Sequence, residues 1–454
     1  MVIIGAGFAG LMAGRELAGH CRVTIFEARD RVGGRVWSKN RNNHIIEAGG
    51  ELIGFNHPLW LTLAKEYELG LSVLSTDDYF DALELAMPLH LNGTMLNRRE
   101  LKVVYEEMAA AFEQMTADAA AIDPHQPWLA ANAAALDKMP LSKWIDKLGY
   151  RFFTRSALEQ QFSNDGGAPT DRQSYLANLA IVAGGAVEGD RGAFFTQTEA
   201  LRCSQGNQEL ASRLAQTIRE AGGDIQLSTP ASAIDVGTES VSVKPKTGAP
   251  VTADYVILAI PPSLWPGSLK PKIDIKPVLP RNYHVTMGTA VKYLTPLTRR
   301  FWIKEDLAPT ATSDLFGVTW EGTDNQIAER GKEVELSLFA GGHMAQTALK
   351  AFDSGGEAGM RAFYEPLIGT IYDGYAANIS RDPSFIAWPR DEWTRGGYAC
   401  PAPGEVCTAG KSLSEPFHER MFFAGEHTCP AYYGYMEGAL QSGKTVASAI
   451  LNLI

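Results

Sequence analysis

The sequence predicts an α/β fold in which a Rossmann-like dinucleotide-binding domain is interrupted by an inserted α+β substrate domain. Three observations indicate this fold. The chain begins with a short apolar strand, a glycine-rich turn and a helix; it is mainly helical from about residue 57 to 200; and strand-like segments rich in β-branched residues return after about residue 205. A strand, a glycine turn and a helix in this order form the start of a dinucleotide-binding unit.

Composition and charge narrow the class of protein. With 454 residues the chain is long enough for two or more domains, and its formal net charge of −11 argues against nucleic acid or an anionic membrane as a partner. No run of eighteen apolar residues suggests a membrane span. The five cysteines show no C-x-x-C pair and are odd in number, which argues against a disulfide framework and against a zinc or other metal site, and favours a reducing, cytoplasmic location. They are Cys21, Cys203, Cys400, Cys407 and Cys429.

The glycine turn is predicted to hold the phosphates of a dinucleotide. Its glycines have the G-x-G-x-x-G spacing, which allows a tight turn, close approach of backbone to a pyrophosphate, and close packing of helix on strand. The next strand, residues 21–26, ends in a carboxylate about twenty residues past Gly7, where it would bind the adenosine ribose. The predicted contacts of this unit are Gly5, Gly7, Ala9, Gly10 and Glu27.

Two further loops are candidates for the same cofactor. Residues 28–35 combine glycines with arginines that offer forked donors to a pyrophosphate, although a solvated basic turn is the alternative. Residues 47–54 are dense in glycine, which lets the backbone lie close to a flat ring. The predicted contacts in these loops are Ala28, Arg29, Gly34, Arg35, Gly49, Gly50 and Glu51.

Lys292 is the one charged residue in an otherwise apolar, strand-like segment at residues 287–294. A lysine at the edge of a sheet can extend along the surface to solvent. The alternative is a lysine that faces a cofactor cavity.

The last seventy residues add a second half of the site. Tyr398 lies on a loop loosened by glycines, and a final apolar strand runs into Gly425 and Glu426. A terminal helix opens at Tyr435 and Met436, where its N-terminus would favour negative charge on a cofactor ring. Core packing is the alternative explanation for the tyrosines.

Together these motifs resemble the flavin-containing amine oxidases, the superfamily of monoamine oxidase, polyamine oxidase and L-amino-acid oxidase. The resemblance rests on residues 5–10, 27–35, 256–262, 423–427 and 434–439. It implies an FAD-binding domain made of residues 1–76, 198–280 and 385–454, and a substrate-binding domain made of residues 77–197 and 281–384.

The resemblance also implies roles for individual residues. Lys292 matches a lysine that holds a water at flavin N5, and Tyr398 and Tyr435 match the two aromatics that flank the substrate amine. Glu426 matches a carboxylate that holds the ribityl–pyrophosphate region of FAD. Gly397 stands where monoamine oxidases have a flavin-linking cysteine, so the FAD is expected to be non-covalent.

The implied function is oxidation of a C–N bond of an amine to an imine, with O2 reduced to H2O2. One alternative is an oxidase of L-amino acids or of a biosynthetic amide or imine, which would need an anchor such as Arg98, Arg99 or Arg155. Another is a flavoprotein of the same fold that is not an oxidase. A soluble protein is expected. The sequence leaves the oligomeric state open, and a homodimer is a common arrangement in the family.

Overall fold

The computed structural model describes residues 1–326 and 333–454. At the centre of the nucleotide-binding part lies a five-stranded parallel sheet, and it contains the strands that the sequence predicts at both ends of the chain. In spatial order its strands are Met421–Phe423, Val256–Leu258, Val2–Ile4, Thr24–Phe26 and Asp224–Gln226. The first strand therefore pairs on both sides, as expected for a short run of buried apolar residues.

Helices cover this sheet. Phe8–Leu17 follows the glycine turn and packs against both Asn207–Glu220 and the terminal helix Met436–Leu451. The contact with the terminal helix is close, because a Cβ added to Gly443 would lie 2.2 Å from the carbonyl oxygen of Ala9. Only glycine lets two helix backbones approach to this distance.

A seven-stranded sheet lies mainly in the predicted substrate-binding domain. In spatial order its strands are Ser384–Ala387, Ala290–Leu297, Val334–Gly341, Gly317–Glu321, Ala311–Ser313, Leu89–Leu91 and Thr94–Met95. These positions support the predicted division into FAD-binding and substrate-binding domains, although the first of these strands crosses the boundary predicted at residue 385. The division remains a prediction.

The strand that carries Lys292, Ala290–Leu297, lies inside this sheet and not at its edge. It pairs antiparallel with Val334–Gly341 on one side and with Ser384–Ala387 on the other, and all eight of its residues are buried. The interpretation of Lys292 as a surface lysine at a sheet edge is therefore wrong, since its side chain is 5% exposed.

Smaller sheets complete the strand structure. A four-stranded sheet has the order Val251–Ala253, Val241–Pro245, Ala231–Val236 and Asp274–Lys276. Two-stranded sheets pair Ser38–Arg41 with His44–Glu47, and Leu71–Val73 with Leu201–Cys203.

The inserted region is mainly helical, as predicted. Its longest helix before residue 200, Arg98–Ala119, begins with a capping box between Asn97 and Glu100. Ala133–Lys138 and Leu141–Leu148 are separate helices, because Pro140 cannot continue the first. Among the described residues, the remaining α-helices are Pro58–Glu66, Asp77–Ala82, Ala133–Lys138, Leu141–Leu148, Phe152–Gly166, Tyr175–Gly184, Ala193–Gln197, Gly342–Gly369 (interrupted at Gly356), Tyr375–Asn378 and Lys411–Leu413. Across the described ranges, no helix combines the length and the apolar character that crossing a bilayer requires.

Candidate active site

A single continuous cavity of about 660 Å³ connects the glycine turn to the two tyrosines of the C-terminal region. It is lined by residues from every segment that the sequence singles out. The predicted site residues that line it are Gly5, Gly7, Ala9, Glu27, Ala28, Arg29, Gly34, Arg35, Gly49, Gly50, Glu51, Lys292, Tyr398, Gly425, Glu426, Tyr435 and Met436. Gly10 is the predicted residue that does not line it.

The glycine turn has the geometry that a phosphate-binding loop requires. Gly5 has φ +103°, and a Cβ on Gly10 would lie 2.0 Å from the carbonyl oxygen of Gly5, so Gly10 serves the packing of helix on turn. A Cβ on Gly7 meets no atom of the chain within 4 Å, so its Cα faces open space. Beside the turn, Glu27 accepts hydrogen bonds from the backbone N–H groups of Ala6 at 2.7 Å and Arg29 at 2.8 Å.

The loop after Glu27 is folded onto the protein and is not a solvated basic turn. Arg29 donates to Asp391 and, at 2.8 Å, to the hydroxyl of Thr394. Arg31 donates to the carbonyl oxygens of Val36 and Gly34, each at 2.9 Å. The arginines of this loop thus fix the cavity wall by contacts within the chain.

Glu426 joins three loops of the cavity wall. Its carboxylate accepts from Arg35 at 2.7 Å, from the Gly434 N–H at 2.8 Å and from the Ala399 N–H at 3.2 Å, while Arg35 also donates to Gly397 O at 3.0 Å. Burial alone would raise the pKa of Glu426, but the charge of Arg35 and these hydrogen bonds bring it below its usual value. The carboxylate is therefore ionised, and its oxygens accept hydrogen bonds from other residues of the chain.

A buried charge network surrounds Lys292. Its Nζ donates to Glu47 O at 2.9 Å, to Gly49 O at 3.2 Å and to Glu51 Oε2 at 2.5 Å. An ammonium has three protons, so these three acceptors use all of them. This geometry differs from the expectation that Lys292 holds a water, since a water would have to replace one of these contacts.

Glu51 is the anion of this network. Besides the contact with Lys292, it forms an ion pair with Arg202 at 2.5 Å and accepts a hydrogen bond from the Trp320 indole N–H at 2.9 Å. Burial opposes its charge, but Lys292 and Arg202 hold the pKa of Glu51 below its usual value. The side chain of Glu51 therefore positions Lys292, and the predicted contact of Glu51 with the cofactor stays a prediction.

The two tyrosines are held in place from both sides of the cavity. The Tyr398 hydroxyl donates to Asn164 O at 3.2 Å, and a Cβ on Gly434 would lie 3.1 Å from the Tyr398 ring. The ring of Tyr435 packs edge-on against His57 and Phe194, with centroids 5.5 Å and 6.3 Å away. Burial, with nearby carboxylates, raises the pKa of both tyrosines, so both hydroxyls are neutral.

Sequence reasoning missed two carboxylates of the helical insertion, Asp165 and Glu199, which line the same cavity. Asp165 ends the helix Phe152–Gly166, and Glu199 follows the short helix Ala193–Gln197. Burial raises the pKa of both, and the charge of Glu199 raises that of Asp165 further. No local motif marks either residue, because only the tertiary fold brings them together.

The cavity fits a dinucleotide with a second ring system. The open face of Gly7 leaves room for a phosphate, and His427 lines the cavity with both ring nitrogens lacking a hydrogen-bond partner among the described residues. Burial lowers the pKa of His427 to about 4, so the ring is neutral and offers one donor and one acceptor. Buried polar groups of this kind are satisfied by a ligand or water. Fold and cavity together define a dinucleotide-dependent enzyme with an aromatic reaction chamber.

Comparisons with known proteins agree with this class. A family model described as flavin containing amine oxidoreductase matches residues 8–451. Flavin-containing amine oxidase B of Mus musculus is 27% identical over 486 aligned residues, which span 100% of this chain and 86% of that protein. An L-amino acid dehydrogenase of Synechocystis is 26% identical over 476 residues, spanning 100% of this chain and 95% of that protein.

Solved structures share the fold. Putrescine oxidase bound to putrescine superimposes with a TM-score of 0.82 at 21% identity, covering 99% of this chain and 98% of that one. Cyclohexylamine oxidase from Brevibacterium oxydans has a TM-score of 0.82 at 22% identity, covering 100% and 98%.

The chain belongs to the flavin-containing amine oxidoreductase family. It is an FAD-dependent oxidoreductase that acts on the C–N bond of small amines, and members of the family use O2. The resemblance drawn from the sequence motifs, the α/β fold class and the FAD cofactor are confirmed.

Proposed function

We propose that the enzyme oxidises an amine that carries no carboxylate, bound between Tyr398 and Tyr435. When bound, FAD accepts the hydride equivalent from the substrate carbon next to the amine nitrogen. The tyrosines face the amine with two aromatic rings, which orient its C–N axis and attract its cationic form on entry. Both hydroxyls are neutral, and that of Tyr398 donates a hydrogen bond to Asn164 O, so neither serves as a base.

The observation that supports an amine over an amino acid is the pairing of the cavity's cations. Each arginine or lysine that lines the cavity already has a carboxylate partner. The pairs are Arg29 with Asp391, Arg35 with Glu426, Lys272 with Glu392, and Lys292 with Glu51. A substrate carboxylate would need an unpaired cation or would have to displace one of these partners.

The anchors suggested by the sequence for an amino-acid substrate lie elsewhere. Arg98 and Arg99 are exposed at the start of a helix, and Arg155 is half exposed and paired with Asp146 at 2.7 Å and Glu159 at 3.1 Å. None of these three arginines is among the residues that line the cavity. Their proposed role as a carboxylate anchor has no support in the structure.

Lys292 supplies a fixed positive charge at the cavity wall in this proposal. Its Nζ is 5.5 Å from the centre of the Trp320 ring and is held by the network around Glu51. A cation preorganised in a buried site stabilises negative charge that develops beside it. The water-holding role that the resemblance implies for Lys292 stays a prediction.

A substrate screen tests the proposed function. We expect primary or secondary amines to bleach the flavin absorbance under nitrogen, and air to restore the colour with formation of H2O2. Amino acids are expected to bleach it far more slowly. Faster bleaching by L-amino acids would contradict the proposal, and bleaching that air does not reverse would indicate an enzyme that is not an oxidase.

The flavin is proposed to be non-covalent. A Cβ on Gly397 would lie 2.7 Å from the Cβ of Ala290, so a cysteine does not fit there without movement of the strand. Cys400 lines the cavity, but burial raises the pKa of its thiol to about 12, so it is not a reactive thiolate.

Acid precipitation of the protein tests whether the flavin is bound non-covalently. All of the yellow colour is expected in the supernatant, both for the wild type and for Cys400→Ser. Flavin retained in the wild-type pellet but not in that of Cys400→Ser would show a bond to this thiol, and flavin retained in both pellets would show a bond elsewhere; either result contradicts the proposal.

A reducing compartment such as the cytoplasm is proposed for the enzyme. All five cysteines are free thiols in the structure. Fractionation of the source cells, with activity followed in each fraction, tests the location.

A further inference from the structure

The part of the cavity next to the tyrosines holds two carboxylates that no cation of the described chain neutralises. Asp165 and Glu199 both line it, and neither forms an ion pair with a lysine, arginine or histidine among residues 1–326 and 333–454. The four basic side chains of the cavity are committed to other carboxylates. The reaction chamber therefore holds two buried carboxyl groups that have no cationic partner among the described residues.

The contacts of the tyrosines place both carboxylates beside the substrate. Asn164, whose carbonyl oxygen accepts from the Tyr398 hydroxyl at 3.2 Å, directly precedes Asp165. On the other side, Phe194 packs on Tyr435, and the segment from Phe194 leads into Glu199. Among the nearby charges, Asp165 affects the pKa of Tyr398 most and Glu199 that of Tyr435 most, each after burial itself. Each carboxylate thus lies near one tyrosine.

Resting on the proposed function, we propose that Asp165 and Glu199 select amines with a second cationic group, an ammonium or a guanidinium, separated from the reacting amine by a short alkyl chain. The reacting nitrogen lies between the tyrosines, and the distal cation is held by the carboxylate pair. An unpaired buried carboxylate is unfavourable, and a cationic ligand relieves this cost. A monoamine of the same length fills the cavity but leaves both carboxylates unpaired.

The proposal concerns selectivity within an amine oxidase and not a new site. It explains why two acidic side chains face a chamber whose lining also includes the apolar side chains of Ile181, Phe194 and Phe195. Purely apolar walls would suit a hydrophobic monoamine better.

Anaerobic stopped-flow reduction of the FAD-loaded enzyme tests it. The substrates are 1,4-diaminobutane and n-butylamine, 1,5-diaminopentane and n-pentylamine, and 4-aminobutylguanidine. We expect the ratio of limiting reduction rate to apparent Kd to be at least about tenfold higher for each diamine than for its matched monoamine. Comparison of 1,4-diaminobutane with 4-aminobutylguanidine shows whether Asp165 and Glu199 prefer an ammonium or a guanidinium.

Substitutions of the two carboxylates test whether they cause the preference for diamines. Asp165→Asn and Glu199→Gln keep shape and remove charge, and each is expected to lower the diamine preference by about tenfold, mainly through the apparent Kd. Glu159→Gln, on the same helix as Asp165 but partly exposed and outside the cavity lining, is the matched control and is expected to keep the full preference. Flavin content and thermal midpoint are measured for each variant.

The outcomes separate the two proposals. If monoamines and diamines reduce the flavin equally well in the wild type, or if both amide variants keep the diamine preference, the selectivity proposal is overturned while the amine oxidase proposal stands. If L-lysine or L-arginine exceeds every amine, the proposed function itself fails. Should an amide variant lose its flavin, the wild-type ratio and the charge-preserving Asp165→Glu and Glu199→Asp variants decide the question.

Discussion

Gly7→Ala is expected to leave the apoprotein folded and to weaken FAD binding by about 100-fold, or about 2.7 kcal/mol. An alanine Cβ at this position meets no atom of the chain within 4 Å, and the backbone has φ −74°, which alanine adopts readily. The methyl group would instead occupy the open space where the turn approaches the cofactor phosphates. The measurement is an FAD titration of apoprotein, alongside thermal unfolding without FAD.

Two other glycines provide controls for this result. A Cβ on Gly19 also meets nothing within 4 Å, but Gly19 is exposed and outside the cavity, so Gly19→Ala should bind FAD normally. Gly10→Ala would place a Cβ 2.0 Å from Gly5 O and should destabilise the apoprotein itself. Unchanged FAD affinity in Gly7→Ala would contradict the role assigned to the turn.

Lys292→Met is expected to slow the reaction of the reduced enzyme with O2 by about 100-fold, as is typical when one preorganised electrostatic group is removed. Methionine keeps the length of the side chain but removes the positive charge from the cavity wall. Glu51 retains Arg202 at 2.5 Å and Trp320 at 2.9 Å, so the variant is expected to fold. Stopped-flow mixing with amine and then with O2 measures reduction and reoxidation separately.

Lys39→Met is the matched control for this prediction. Lys39 also lies on an aromatic ring, with Nζ 4.0 Å from the centre of Trp37, but it does not line the cavity as described. Its replacement should change neither half-reaction. If Lys292→Met likewise leaves both rates at the wild-type level, the charge of Lys292 has no part in the chemistry.

The sequence predicts the cofactor half of this protein well because its signals are local. A glycine spacing, a carboxylate at the end of a strand and a continuous apolar run each depend on residues that are close in the chain. The strand Val256–Leu258 and the turn around Gly7 are found where they are expected. The helical insertion is predicted only as a region, and its division into separate helices, such as the pair on either side of Pro140, is seen in the structure.

The charge partners are not predictable in the same way. Glu51 was expected to contact cofactor, but its carboxylate meets Lys292 and Arg202, which are 241 and 151 residues away in the chain. Asp165 and Glu199 carry no local pattern, and they become a pair only when two separate helices face the same chamber. A single sequence contains no signal for contacts of this kind.

The position of the first strand has a consequence for biosynthesis. Val2–Ile4 is synthesised long before its partner Val256–Leu258. The outer strand Met421–Phe423 follows later, and the helix that carries Gly443 follows that strand. At typical rates of translation the interval is on the order of tens of seconds. During that time the glycine turn exists without its covering helix, and contacts so distant in the chain form slowly. The complete cofactor site therefore forms late in synthesis, after the terminal helix has been made, and stable cofactor loading is expected only then.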